Sequence, residues 1–133
     1  MGNTLTRNNY TYENLYGESK DLRAAALGCC DGLLKDEKPY GIISGLVKVT
    51  SDNEPDKKPL YMVRMETPDG IRMYATQSEN VAKQIVDITE MCEAGERALV
   101  RVTMGTTKKG QSFIAVNATD FIKDGFTFIN ENE

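Results

Sequence analysis

The chain has 133 residues, enough for one domain with a short tail. Apolar residues make up 40% and charged residues 27%, so a packed core is expected, with roughly two-thirds of the unfolded surface buried. Histidine is absent and the formal charge is −4, which excludes Ser-His-Asp and Cys-His catalysis, His-containing zinc sites and a polybasic, histone-like protein.

Three cysteines, Cys29, Cys30 and Cys92, form neither a C-x-x-C ligand pair nor a disulfide framework. Odd free thiols without a signal peptide point to a reducing cytoplasm, and no apolar run is long enough to span a membrane. The alternating carboxylates Asp52, Glu54 and Asp56 lack the calcium-loop pattern and read as a solvated loop, so no metal or cofactor is expected.

In chain order, residues 1–18 are polar, with Tyr10, Tyr12 and Tyr16 and no helical period; they read as a flexible or extended arm. Residues 19–38 read as a helix capped by Ser19 and ended by Pro39. Its stripe is Leu22, Ala26, Cys29, Cys30 and Leu33, with the cysteines acting as small hydrophobes. From Tyr40 the period becomes two. Gly41–Thr50 is a long strand with an internal glycine, Gly45, marking a bend. Leu60–Thr67 is the second strand, with Tyr61, Val63 and Met65 on one face and Arg64 and Glu66 on the other.

Pro68-Asp69-Gly70 forms a tight turn into Ile71–Thr76, whose Ile71, Met73 and Ala75 are assigned to the core and Arg72 and Tyr74 to the outside. A helix capped by Ser78 follows, with Val81, Ile85, Ile88 and Cys92 as its stripe and Gly95 as its stop. Two more alternating strands flank the polar turn Thr106–Gln111, and residues 123–133 form a loose acidic end.

Within residues 39–122 the order is three strands, one helix, two strands. That is the connectivity of a five-stranded oligonucleotide/oligosaccharide-binding (OB) barrel with its helix between strands three and four; an open sheet with one packed helix is the alternative. The expected fold is therefore mainly β, an OB barrel preceded by an N-terminal helix.

Gly41-Ile42-Ile43-Ser44-Gly45, the Arg72/Tyr74 pair after the turn, and Lys108-Lys109-Gly110 before Phe113 resemble, in architecture and patterning, the small single-stranded-DNA-binding proteins of bacteria, phages and conjugative elements. The end of the chain lacks the Pro-Phe tip of the cellular bacterial type, which points toward a divergent phage or plasmid member of replication or conjugation. The resemblance implies a non-catalytic protein that binds single-stranded DNA with little sequence preference. RNA is the alternative strand, since stacking does not distinguish the sugar.

Such binding needs cations along the phosphates and flat groups against the bases. Alternation places Arg64, Arg72 and Tyr74 on one face, joined by Lys48 from the first strand. Lys108 and Lys109 lie at the last hairpin tip, and Phe113 faces away from the core. Tyr10, Tyr12 and Tyr16 are expected to dock on a neighbouring copy and organise proteins along a strand; stacking on bases and folding back onto their own domain are the alternatives. The competing reading is a protein-interaction subunit of a larger assembly built on the same barrel.

Overall fold

The computed structural model describes residues 4–7, 10–17, 22, 30–54 and 56–123. The strands are β1 (Thr4–Arg7), β2 (Tyr10–Gly17), β3 (Gly32–Leu33), β4 (Tyr40–Ser51), β5 (Leu60–Thr67), β6 (Gly70–Thr76), β7 (Glu96–Thr106) and β8 (Ser112–Lys123). The helices are α1 (Leu34–Glu37) and α2 (Glu79–Glu90). Among the described residues, all eight strands join one curled, half-barrel sheet.

β4 organises this sheet. Its first residues, Tyr40–Ile42, pair with β7, while Gly45–Ser51 pair with β2 along the same edge. A register shift against β5 falls between Ile43 and Gly45, where the bend was expected. The strand can cross between its neighbours because Gly41 has no side chain. A Cβ there would lie 2.5 Å from the Glu66 carbonyl oxygen. Across that crossing, Arg97 Nη1 of β7 donates to Glu66 Oε2 of β5 at 2.6 Å.

The concave face holds the main core. Ile43, Leu46, Val63, Met65, Val100 and Val102 pack against Val81, Ala82, Ile85 and Ile88 of α2. Ser78 caps α2, its Oγ accepting from the Val81 N–H at 3.2 Å. The helix ends at Glu90, and Gly95 sits instead in the turn into β7, at φ +80°.

The convex face is buried too. Tyr12, Val47, Val49, Met62 and Ala75 form a second cluster, completed by the helical Leu22, which is 0% exposed. This cluster corrects the reading of β6. Met73 packs against it, while Tyr74 enters the concave core and Ile71 is exposed. With both faces covered, alternation shows that a strand is present without showing which face turns inward.

The N-terminal expectations change as well. Residues 10–17 of the arm are a strand paired to β4, with a hairpin partner in β1. Within 19–38, Gly32–Leu33 are strand rather than helix, Cys30 and Leu33 are exposed, and helix appears at Leu34–Glu37. Ser19, Ala26 and Cys29 lie outside the described residues, as do residues 124–133 of the acidic end.

The expected closed cylinder is open between β6 and β8. β6 pairs with β3 in parallel, Gly32 opposite Tyr74 and Leu33 opposite Ala75. Asp31 fastens the pairing: its N–H donates to the Met73 carbonyl, and the Met73 N–H donates to Asp31 Oδ2, both at 2.7 Å. Residues 31–33 therefore take the edge that a closing β8 would need, and fully buried Leu34 enters the concave core there. Among the described residues β8 pairs only with β7, and no helix is long and apolar enough to cross a membrane.

Candidate nucleic-acid interface

The β7–β8 hairpin ends in an ordered turn. Thr107 N–H donates to the Gln111 carbonyl at 2.8 Å, Gly110 N–H to the Thr107 carbonyl at 2.9 Å, and Gln111 N–H to Thr107 Oγ1 at 3.1 Å. These bonds order the tip, where Lys108 and Lys109 are exposed. At its base, Phe113 is 46% exposed, out of phase with the inward Ile114 and Val116 as its position in β8 requires.

A groove of about 830 Å³ lies between the hairpin and α2, and Phe113 borders it from the strand face opposite Ile114. Met104 adds a second exposed apolar group. Lys83 of α2 and Lys35 of α1 bring cations to the walls, and Asn80 contributes an amide. One acidic group, Asp87, stands among the lining residues. Gln84 ties the two walls together, its Oε1 accepting from the Val116 N–H of β8 at 2.9 Å. The groove thus gathers flexible cations and hydrogen-bonding side chains, with an aromatic residue at its border.

No protein-family model, curated protein or solved structure matches this chain.

The residues anticipated as one binding face are divided among three places. Partners across an antiparallel ladder share a face. Arg72 opposes Met65, and Arg64 opposes Met73, so Arg64 lies on the convex side while Arg72 and Tyr74 lie on the concave side. Arg64 Nη1 donates to Ser44 Oγ at 2.8 Å. Tyr74 is only 7% exposed and has no ring face to offer a base. Burial pushes its phenol above the ordinary value, with Arg72 opposing the shift and Asp31, Glu37 and Asp69 reinforcing it.

Arg72 borders a recess lined also by Glu37, Lys38 and Asp69, so charges of both signs surround it. Lys48 stands opposite Glu13 on one side and Tyr61 on the other. Lys108, Lys109 and Phe113 stay together at the hairpin, and Arg72 and Tyr74 border one recess, where Tyr74 is nearly buried. Lys35, Lys83 and Met104 were missed. Lys83 occupies the polar side of α2, which a search for the apolar stripe passes over, and Lys35 reaches the groove only through the tertiary position of α1.

The arm tyrosines also separate. Tyr12 is buried in the convex cluster and Tyr16 packs against the concave core, so both are engaged by their own chain. Tyr10 remains exposed. Cys92 is half-buried on the α2 side, its thiol pushed up by burial and then by Glu96.

Proposed function

We propose that this chain is a non-catalytic single-strand-binding protein, with DNA the first candidate strand, and that the strand lies along the groove between α2 and the β7–β8 hairpin. The observation that carries the reading is the half-exposed Phe113 bordering a groove lined by Lys35 and Lys83, beside a hairpin tip carrying Lys108 and Lys109. A base stacks on the ring while phosphates pass the lysines, and stacking of this kind contributes ~1–3 kcal/mol per base. The order β4, β5, β6, α2, β7, β8, with β4 serving two neighbours on one edge, supports an open variant of the OB barrel as the scaffold. The net charge of −4 makes the segregation of these cations necessary for any attraction to phosphate.

Fluorescence anisotropy with a labelled oligothymidylate at low salt tests the proposal. Association that weakens in Phe113→Ala and in Lys108→Ala/Lys109→Ala supports it; no association at low salt rejects it. The outer edge of β8, which among the described residues pairs with no further strand, supports a second reading, a protein-interaction subunit that pairs through that edge. Light scattering that shows a stable, salt-insensitive assembly in the absence of nucleic acid favours this second reading.

A further inference from the structure

A second concavity lies on the convex side and shares no lining residue with the groove, although its Gln77 adjoins Ser78 of the groove. Its volume is about 320 Å³, within the range of small-ligand pockets. Tyr10 and Tyr12 project from β2, Val49 and Leu60 line it from β4 and β5, and Lys57 and Lys58 border it from the connecting loop. The ladder explains the grouping. Tyr12 opposes Val49, Val49 opposes Leu60, and Tyr10 opposes Ser51, so these side chains share one face.

The two tyrosines differ in what they offer. Tyr12 is buried and fixed in the convex cluster, whereas Tyr10 is 39% exposed, with ring surface open to solvent. An aromatic wall above an aliphatic floor receives a planar heterocycle. Two neighbouring ammonium groups at its rim receive an anion attached to that heterocycle. Ser51 and Gln77 add hydrogen-bonding groups. Asp52, Glu54 and Asp56 of the same loop are not among the lining residues, and the Thr11 hydroxyl donates to Asp52 Oδ1 at 2.8 Å.

We propose that this pocket binds one nucleotide, its base against Tyr10 and its phosphate against Lys57 and Lys58. The shared chemistry is a nucleoside 5′-phosphate, whether free or as one unit of a strand. The site gives residues 10–17 a ligand-binding role in place of the subunit docking expected for their tyrosines. It extends the single-strand reading to a second place but stands on separate residues.

The test is a backbone amide NMR titration of the full chain with thymidine 5′-phosphate, with inorganic phosphate and thymidine as separate arms, and with an oligothymidylate. Saturable shifts at Tyr10, Ser51 and Gln77 with thymidine 5′-phosphate, much smaller with phosphate alone, are expected. Tyr10→Ala, at an exposed position, and Lys57→Ala/Lys58→Ala should each weaken thymidine 5′-phosphate binding about tenfold.

Shifts at these residues with the oligothymidylate alone, abolished by the same variants, would also support the pocket and identify a strand as the source. The proposal is overturned if neither the nucleotide nor the oligonucleotide moves these signals, or if the shifts survive both variants. An oligonucleotide that shifts Lys83 and Phe113 but not Tyr10 sinks this pocket and leaves the groove intact; the reverse pattern does the opposite.

Discussion

The Phe113 ring lies directly against Gly105, its cross-strand partner, so closely that a Cβ on Gly105 would overlap the ring atoms. The glycine is thus the seat that holds an exposed aromatic ring in one orientation on a strand. Without it the ring would have to swing away from the hairpin.

Gly105→Ala should therefore lower single-strand affinity by displacing a ring that is itself unchanged. The expected loss is comparable to that of Phe113→Ala, about 1–3 kcal/mol, while the melting temperature changes little because the displaced Phe113 ring is exposed and leaves no cavity in the core. Anisotropy and thermal denaturation on the same samples check this. Full affinity in Gly105→Ala would remove the ring from the interface.

Gly41→Ala should be the more damaging of the two glycine substitutions to stability. Its Cβ would meet the Glu66 carbonyl carbon and oxygen and the Thr67 Cα, all backbone atoms that cannot rotate aside. Overpacking of this kind costs about 1–3 kcal/mol. Urea denaturation should show a lowered midpoint.

The Arg97–Glu66 bond spans β4 at the same crossing, because Ile42 pairs with Glu66 on one side and Leu99 on the other. Glu66→Ala removes a charge-assisted bond at a partly buried site and should destabilise the chain by about 1.5–3 kcal/mol. A double-mutant cycle with Arg97→Ala isolates the pair's own contribution.

Alkaline stability should depend on Tyr61 and Tyr74. Burial leads the upward shift of both phenols from 10.0; around Tyr61, Glu79 and Glu13 add to it. A folded pKa above the unfolded one means that the unfolded chain loses the proton first as pH rises. The contribution of these groups is therefore complete below 10.0 and declines above it. Urea midpoints should hold steady up to about pH 9 and fall by about pH 11, and Tyr74→Phe should reduce the fall.

Much of this architecture is legible in the sequence because local rules and tertiary context agree. The alternation of Ala98, Val100 and Val102, the Ser78 cap before the Val81–Ile85–Ile88 stripe, and the Pro68–Asp69 turn each appear where their chemistry places them. The phase of β6 was not legible. Tyr74 and Ala75 are both buried, in different clusters, so no polar face marks the outside.

Strand β2 was hidden for a related reason. Its polar sequence carries no alternation of its own, and its structure comes from pairing with β4. The open cylinder follows from Asp31, whose two bonds to Met73 place β3 at the sheet edge. The anticipated binding residues scattered because a one-residue change of phase moves a side chain to the opposite face, whereas Lys108, Lys109 and Phe113 depend only on the local hairpin.

The most direct test of the central claim is the salt dependence of oligothymidylate binding, measured by anisotropy for the parent and for Lys108→Ala/Lys109→Ala. The account expects binding at low salt with a negative log–log slope, made shallower by about 1.4 in the double variant if each lysine neutralises one phosphate. Binding that is absent at low salt, or a slope identical in the two proteins, would contradict the assignment of this hairpin to a nucleic-acid strand.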